Sequence, residues 1–323
     1  MIQSSVVVFG EALVDLFKDG LVVGGAPFNV ARHLAGFGLH PLFISAISED
    51  NAGDLISQEI KRYQLAPQGV QILPNMRTGT VQVHENAQGH QFEIMPNCAY
   101  DAIEANAALT CVSAFNKAGA KTSAQPKILY HGTLGLRGSV SYNTFQAVCT
   151  QVKAEPNANV FLDINWRAGH VEQAVAVQCL KDANIIKLSI EELQMVLVWF
   201  KVLVSCESKL PANGTTERPI QRLMAQIKAH LLLVTYGELG SAAFNRDGIC
   251  ISSAPALNGT TMVDTVGAGD AFSSVTLLAL TKHWPIEVAL QRANEFAAAV
   301  CGIRGATPSD LAFYQKYAQE WEI

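Results

Sequence analysis

The second half of the chain alternates short apolar runs with longer segments whose apolar residues recur at helical spacing. We predict strands at the short runs Ile128–Tyr130, Val160–Leu162, Ile185–Leu188 and Leu231–Thr235. We predict helices at the longer segments Val140–Lys153, Val171–Leu180, Glu191–Phe200 and Ile220–His230. Strands that alternate with helices form βαβ units, so the predicted fold class is α/β with a mostly parallel sheet. The polar segment Ser205–Pro219, which contains Pro, Asn and Gly, is expected to be a surface loop.

The first half of the chain starts with the same rhythm and then departs from it. Val6–Gly10 is an apolar run closed by glycine, which predicts a buried strand, and Leu42–Ile47 predicts another. Between them, Pro27–Gly36 has helical spacing and a proline suited to a first helical turn. Arg77–Val83 and Gln91–Met95 instead alternate around a glycine-containing turn and predict a hairpin.

The composition excludes several classes of partner. Hydrophobic residues make up 49% of the 323 residues and charged residues 16%, which is enough for a substantial core. A formal net charge of -5 argues against a nucleic-acid-binding surface, and no apolar run is long enough to predict a membrane span. The N-terminus has no basic leader, and the seven cysteines contain no C-x-x-C, which fits reduced thiols. We therefore expect a cytoplasmic protein.

Residues 263–272, VDTVGAGDAF, are a turn of small residues that runs into an apolar helical segment. Gly267, Ala268 and Gly269 have little side chain, so a ligand can approach their backbone closely. Their N–H groups belong to the first turn of a helix, which lacks internal partners and can bind an anion. Asp270 would repel a phosphate, but it could accept the proton of a hydroxyl that attacks one. Taken alone, a plain helix N-terminus with an acidic residue is the simpler explanation of so short a motif.

A second glycine motif lies near the other end of the chain. Residues 24–31, GGAPFNVA, place paired glycines before a helix. These two segments resemble, in the right order, the two signatures of the ribokinase (PfkB) family of sugar kinases, and the chain is most similar to fructokinases. The resemblance covers nearly the whole chain. It implies one kinase domain over residues 1–323, a three-layer α/β/α sandwich with a mostly parallel central sheet. It also implies a small β lid, formed by segments near 15–23 and 77–95, which would exclude water from the sugar.

The predicted sugar site draws on the first strand and the first signature. Asp15 follows the first strand, at the end of an open α/β sheet where ligands bind. In the family, an aspartate here holds sugar hydroxyls, and a carboxylate can accept bonds from two of them. The alternative is a loop carboxylate in water. The resemblance also implies that Gly25 and Asn29 face the substrate, although a capped helix turn would explain Gly24 equally well.

Residues 163–167, DINWR, follow another predicted strand. They resemble the Asp-x-Asn-x-Arg segment of fructokinases and 2-keto-3-deoxygluconate kinases, which implies a place in the substrate pocket. Asn165 can bond a hydroxyl, and Arg167 can bind a carboxylate or phosphate bidentately. From the residues alone, a strand-end turn with a solvated arginine fits as well. Trp166 stands where leucine is usual, which leaves the shape of the pocket open.

Two further segments match cation-binding positions of the family. Ser189 replaces an asparagine, and Glu192 matches a glutamate that helps to organise Mg²⁺ through water. A helix capping box with the same spacing explains both residues without a metal. Asp264 and Thr265 match positions that bind a monovalent cation such as K⁺, and further ligands are expected within Cys301–Ala306.

The nucleotide-binding positions are the least distinctive. Thr235 and Gly237 resemble the Thr-x-Gly that contacts the nucleotide in the family, but a tight turn would explain them equally well. Asn294 lies on a predicted helix, Ile286–Gly302, that flanks the adenine in relatives; the alternative is a polar surface residue. The sequence contains no Walker A or dinucleotide fingerprint, and its histidines show no metal-ligand spacing.

These expectations describe an ATP-dependent sugar kinase that uses Mg²⁺, with Asp270 as the base for a primary sugar hydroxyl. The amides of residues 267–269 would bind the charge of the migrating phosphoryl group. Fructose is the favoured acceptor; 2-keto-3-deoxygluconate, whose carboxylate Arg167 could bind, comes next, and ribose or a nucleoside third. The alternative from another class is a sugar-responsive binding protein on a kinase scaffold. A dimer through the lid hairpin is a hypothesis that rests on the resemblance.

Overall fold

The computed structural model describes residues 5–18, 20–86, 89–119, 127–203, 217–257 and 262–323. The strands are β1 Val6–Phe9, β2 Leu13–Phe17, β3 Gly20–Gly24, β4 Leu42–Ile47, β5 Val70–Ile72, β6 Gly79–Asn86, β7 Gly89–Ile94, β8 Ile128–His131, β9 Asn159–Asp163, β10 Ile185–Ser189, β11 Leu231–Thr235, β12 Ser241–Asn245 and β13 Cys250–Ala254. The helices are α1 Ala26–Gly36, α2 Asn51–Arg62, α3 Ala105–Gly119, α4 Ser139–Lys153, α5 Gln173–Asp182, α6 Ile190–Trp199, α7 Glu217–Met224, α8 Ala268–Lys282, α9 Ile286–Cys301 and α10 Phe313–Glu320.

The larger sheet has the strand order β13-β12-β11-β10-β9-β8-β1-β4-β5. It is parallel from β11 to β5, and β12 and β13 extend it in antiparallel orientation. Within it, strand β1 pairs with β4 on one side and β8 on the other, and all of its residues are buried. A strand that is buried on both faces is a continuous apolar run in the sequence. These strands could therefore be predicted from their apolar runs.

Two hydrophobic cores cover the two faces of this sheet. Val6 and Val8 point into the first core, with α1, α2, α8, α9 and α10, whereas Val7 and Phe9 point into the second, with α3 to α7. Alternate residues of one strand thus serve both cores, and each fully buried side chain of this size contributes about 1.5–3 kcal/mol. The predicted three-layer α/β/α sandwich with a mostly parallel sheet is confirmed.

A smaller, separate sheet has the order β3-β2-β6-β7. The predicted hairpin is present as β6 and β7, which pair in antiparallel fashion, and β2 pairs with β3 as a second hairpin. A parallel pairing of β2 with β6 joins the two hairpins and aligns Asp15 with Val81. The segments near 15–23 and 77–95 therefore form one sheet, apart from residues 19, 87 and 88, which lie outside the described residues.

Several element predictions were wrong or incomplete. The predicted helix Ile220–His230 begins earlier, at Glu217, and ends at Met224, where Gln226 N bonds Leu223 O at 2.8 Å and tightens the turn. The predicted loop Ser205–Pro219 lies outside the described residues up to 216, and its last three residues are helical. Pro219 fits there because the first turn needs no N–H from it. Among the described helices, none has the length and apolar character needed to cross a membrane.

Helix α10, which was not predicted from the sequence, packs its aromatic residues against α1 and α9. Gly36, at the end of α1, allows the close approach, because a Cβ at this position would overlap the ring of Tyr314. Phe37 and Phe296 contact the same ring from other sides, with centroid distances of 5.2 Å and 5.9 Å. The packing of α10 therefore depends on the absence of one methyl group.

We expect Gly36→Ala to lower the free energy of unfolding by about 1–3 kcal/mol, because the added methyl overpacks the Tyr314 ring. Gly132→Ala is the matched control, since its new Cβ would meet only Asp163 O, at an ordinary 3.5 Å. Urea unfolding of the two variants measures the difference. Equal stabilities would contradict the packing assigned to Gly36.

Candidate active site

The predicted glycine turn begins α8. Gly267 is the N-cap residue and has a φ of 81°, in the left-handed region that favours glycine. A Cβ at this position would lie 2.5 Å from the Cα of Ala306, so no side chain fits. Ala268 N donates a long bond of 3.3 Å to Thr265 O, and the first-turn amides have no earlier carbonyl of the helix to bond. The turn therefore presents backbone N–H groups where the helix dipole favours an anion.

Asp270 lies in the same first turn and is only 9% exposed. Asn29, on α1, donates from Nδ2 to Asp270 Oδ2 at 2.7 Å. Burial raises the pKa of Asp270 to about 6, although the Asn29 bond opposes the shift. The fold thus joins the two sequence motifs directly at the predicted base. The amide of Asn29 is engaged by protein groups at both ends, because its oxygen accepts a bond from Arg32. Its predicted contact with substrate remains a prediction.

Asp15 lies within β2, not in a loop. Burial raises the pKa of Asp15 to about 6, while the charge of Arg167 opposes the shift. The alternative of a loop carboxylate in water is therefore wrong. Gly25 caps α1 with a φ of 103°, and a Cβ there would lie 2.6 Å from Glu11 O. Contacts of Asp15 and Gly25 with a sugar remain predictions.

Glu11 is a further carboxyl group near these residues, and it was not predicted from the sequence as a site residue. It follows β1, is 2% exposed, and its Oε2 has no hydrogen-bond partner within the described part of the chain. Burial raises the pKa of Glu11 to about 7. The charge of Arg167 lowers the pKa values of Glu11, Asp15 and Asp270 alike, so this guanidinium lies near all three. A carboxylate placed straight after a buried strand was the signal that could have identified it.

The DINWR segment connects this cluster to the next strand. Asn165 has a φ of 39°, a conformation that asparagine tolerates better than most residues. Trp166 N donates to Glu192 Oε1 at 3.0 Å, and its indole packs on Trp199 with the ring centroids 4.9 Å apart. Trp166 therefore holds the DINWR segment in place. The contacts of Asn165 and Arg167 with a substrate remain predictions.

Glu192 is the third residue of α6 and forms the capping box. Its Oε2 accepts from Ser189 N at 2.8 Å, and Ser189 Oγ accepts from Glu192 N at 3.2 Å. Burial raises the pKa of Glu192 even though the ammonium of Lys187 lies nearby. Both carboxylate oxygens thus bond backbone amides. The described residues contain no cluster of three or more His, Cys, Asp or Glu that could hold a metal.

A buried ion pair lies against the glycine turn that begins α8. Lys187 Nζ, on β10, lies 2.9 Å from Asp163 Oδ2, on β9, and the two side chains are 7% and 2% exposed. Ser273 Oγ donates to the same carboxylate oxygen at 2.8 Å. A Cβ on Gly269 would lie 2.9 Å from Lys187 Nζ, so the ammonium touches the turn. The signal missed in the sequence was a lone lysine inside an otherwise apolar strand, which has to be paired.

The predicted nucleotide positions lie at the end of β11 and on α9. Thr235 ends β11, and Gly237 has a φ of 60° in the turn that follows. Asn294 is 8% exposed and donates from Nδ2 to Ala254 O at 2.9 Å and Pro255 O at 3.2 Å. The alternative of a surface residue is therefore wrong, because this amide ties α9 to the end of β13. A contact of these residues with a nucleotide remains a prediction.

The two segments predicted to form a cation site lie together. Asp264 Oδ2 accepts from Gly305 N at 3.1 Å, and Asp264 N donates to Cys301 O at 3.1 Å. Asp264 Oδ1 accepts from Val266 N at 3.0 Å. Residues 301–306 are thus adjacent to Asp264 and Thr265, as expected, although binding of a cation there is untested.

Comparison with known proteins agrees with this geometry. The model of the pfkB family of carbohydrate kinases matches residues 4–312. A fructokinase of Salmonella typhimurium is 28% identical over 320 residues, which cover 94% of each protein. The predicted carbohydrate kinase, a phosphotransferase with an alcohol acceptor, is confirmed at this level: the chain belongs to the PfkB family of carbohydrate kinases.

Solved structures agree on the fold. The fructokinase of Xylella fastidiosa with bound ATP superposes with a TM-score of 0.78 at 21% identity and covers 99% of both chains. A fructokinase double mutant of Vibrio cholerae O395, bound to fructose, ADP and potassium ion, gives 0.73 at 22% identity over 93% of both chains. At these identities the two structures establish the fold alone.

We expect Lys187→Met to lower the free energy of unfolding by about 3–5 kcal/mol, because it leaves the buried carboxylate of Asp163 without its counter-ion. The double variant with Asp163→Asn should recover part of the loss, since neither member of the pair is then charged. Lys316→Met is the control, because its exposed pair with Glu320 is worth about 0–1 kcal/mol. Urea unfolding at neutral pH measures all three. A double variant less stable than Lys187→Met would contradict the assignment.

Proposed function

We propose that the chain is an ATP-dependent fructokinase that transfers the γ-phosphoryl group of ATP to a primary hydroxyl of fructose. One observation carries this proposal: Asp270 is buried at the N-terminus of α8, beside bare amides, and accepts a bond from Asn29 of the other motif. A proton acceptor and an anion-binding turn therefore occupy one helical turn. In-line transfer of a phosphoryl group to an alcohol needs this pair of functions.

In the proposed reaction, Asp270 accepts the proton of the attacking hydroxyl. Above its pKa of about 6 the carboxylate form predominates, so the group is a competent base at neutral pH. The N–H groups of residues 267–269 would face the charge that develops on the migrating phosphoryl group. The Lys187 ammonium, which touches Gly269, would add positive charge beneath the turn. Positioning and electrostatics therefore supply the rate, without a covalent intermediate.

Two cations belong to the proposal. Glu192 would hold Mg²⁺ through water, because its two oxygens already bond backbone amides and direct coordination would cost those bonds. When bound, Mg²⁺ neutralises charge on the nucleotide phosphates. We place a monovalent cation, K⁺ by analogy with the Vibrio cholerae fructokinase structure, between Asp264–Thr265 and the adjoining Cys301–Ala306 segment.

For ATP we propose the side of the turn that faces Thr235, Gly237 and Asn294. The order of the strands supports this choice, since β11 ends beside the parallel strands that carry the rest of the site. Because Asn294 donates to two backbone carbonyls, we assign it the role of holding the wall of the nucleotide site. The Xylella fastidiosa fructokinase with ATP has the same fold.

Fructose fits the charge of the acceptor site better than an acid sugar does. Arg167 already lies near three carboxyl groups, those of Glu11, Asp15 and Asp270. The carboxylate of 2-keto-3-deoxygluconate would have to compete with them and would be repelled by them. A neutral sugar instead supplies hydroxyls, which these carboxyl groups can bond. The fructokinase relative at 28% identity supports the same choice.

The small sheet is proposed to be the lid of a single kinase domain. Its strand β2 carries Asp15, and Arg32 of α1 donates to Val23 O in β3 at 3.0 Å. The sheet is therefore connected to the residues around the base. A homodimer through this sheet and a cytoplasmic location remain predictions. The binding-protein alternative is disfavoured, because such a protein would have no need to retain Asp270 and its glycine turn.

The acceptor can be identified by measuring ADP release with ATP, Mg²⁺ and fructose, ribose, 2-keto-3-deoxygluconate or adenosine in parallel. We expect fructose to give the highest kcat/KM. Ketodeoxygluconate as the best substrate would move the assignment to Arg167 as a carboxylate receptor. Fructose binding without any sugar-dependent ADP release would favour the binding protein.

Asp270→Asn should lower kcat by about 10²–10⁴-fold, because the amide cannot accept the hydroxyl proton. Fructose should still bind with an affinity close to wild type, as measured by calorimetry, since the side chain keeps its size and position. Asp247→Asn, at an exposed turn, is the matched control and should retain full activity. Undiminished turnover in Asp270→Asn would remove the base from the mechanism.

A further inference from the structure

The amide of Asn29 has two possible orientations, and only one of them suits Asp270. With Nδ2 toward the carboxylate, the amide donates a bond of 2.7 Å. Rotated by half a turn, it would place its oxygen against a carboxylate, and two acceptors would face each other. Whatever bonds the Asn29 oxygen therefore decides whether Asp270 has a donor. In this structure that group is Arg32, one helical turn further along α1, whose Nη2 donates to Asn29 Oδ1.

Arg32 is itself held firmly. It is 2% exposed, and its guanidinium lies 4.9 Å from the centre of the Phe28 ring. Nη1 donates to Glu59 Oε2, on α2, at 3.1 Å, so the buried charge has a counter-ion. Nη2 bonds Val23 O in β3 at 3.0 Å as well as Asn29. Because the planar guanidinium is fixed on several sides, it cannot follow a rotation of the amide.

We propose that Arg32 is a positioning residue for phosphoryl transfer, which acts by locking the Asn29 amide in the orientation that donates an N–H to Asp270. The inference rests on the proposed function, in which Asp270 is the base. Arg32 touches neither the carboxylate nor the turn, so its whole effect passes through Asn29. A carboxylate that accepts this bond is aimed by it and is stabilised in its charged form.

The groups around Asp270 determine the sign of the effect. Asn29 from α1, Lys187 from β10 and Arg167 from the segment after β9 lower the pKa of Asp270, whereas burial, foremost, and Asp163 from β9 raise it. Two further groups also face this carboxyl group, Glu11 after β1 and Tyr130 on β8. Loss of the Asn29 bond removes one of the opposing contributions, so the pKa of Asp270 should rise. In a plot of kcat against pH, the acid limb, where kcat falls as the base becomes protonated, should then move to higher pH.

A double-mutant cycle tests whether the effect passes through Asn29. We expect Arg32→Met and Asn29→Ala each to lower kcat by about 10-fold or more, the value of a hydrogen bond to a charged group. Each should also shift the acid limb of kcat upward. Combined in one chain, they should lower kcat no further than Asn29→Ala alone, because Arg32 has nothing left to position. Multiplicative losses in the double variant would overturn the proposal.

Arg62→Met is the matched control. Arg62 bonds the same Glu59, at 3.0 Å, and lies over the Tyr63 ring, but its Nη2 donates to Pro308 O rather than to Asn29. The Arg62→Met variant should be less stable than wild type, while the acid limb of its kcat profile stays at the wild-type pH. An equal shift of this limb would mean that the network acts only through general stability, which would overturn the proposal. Arg32→Lys keeps the charge against Glu59 with a single nitrogen, so it should fold and still show the shifted limb.

If Arg32→Met does not fold, an unshifted limb in Arg32→Lys overturns the proposal by itself. Circular dichroism and thermal unfolding of every variant establish that the comparison is made between folded proteins. Failure of the proposed function would look different: the wild-type protein would then release no ADP with any sugar, and no limb could be measured.

Discussion

The site depends on one energetically unfavourable feature: the carboxyl group of Asp270 is buried at the N-terminus of α8. Burial raises the pKa of Asp270 to about 6, toward the neutral form, which could not act as a base. What prevents a larger shift is the donated bond from Asn29, followed by the charges of Lys187 and Arg167. The surrounding residues are therefore explained by a single requirement: a buried carboxylate has to stay ionised and aimed.

That requirement links elements far apart in the chain, and the sheet order makes the link possible. Asn29 and Asp270 are separated by 241 residues, yet α1 and α8 pack in the same core on one face of the sheet. β1, which precedes α1, lies between β4 and β8, where the order of the strands reverses, and the carboxyl ends of strands at such a point form a ligand-binding crevice. Glu11 and Asp15 enter the cluster because they follow β1 in the chain.

Features contained in one contiguous stretch could be predicted from the sequence. Gly267 and Asp270 are three residues apart, and buried parallel strands are continuous apolar runs. Features that depend on a distant partner could not: neither the pairing of Lys187 with Asp163 nor that of Arg32 with Asn29 and Glu59 has a linear pattern. Strands β12 and β13 were missed because neither is a continuous apolar run. β12 is buried but consists of small and polar residues beside one phenylalanine, and the edge strand β13 is largely exposed.

The charges of the site are consistent with the proposal that a neutral acceptor and a charged donor share it. Five carboxyl groups lie in the cluster: Glu11, Asp15, Asp163, Glu192 and Asp270. Two cations, the buried Lys187 and the exposed Arg167, act on these groups and cannot balance all five when ionised. The raised pKa values of Glu11 and Asp15 reduce this excess, because protons taken up on the sugar side remove negative charge. In the proposed reaction, the phosphates would be bound from the other side, by the amides of α8 and by the proposed cations. A sugar with its own carboxylate would add negative charge to this cluster. The hydroxyls of a neutral sugar can instead donate hydrogen bonds to these carboxyl groups when they are ionised and accept hydrogen bonds from them when they are protonated.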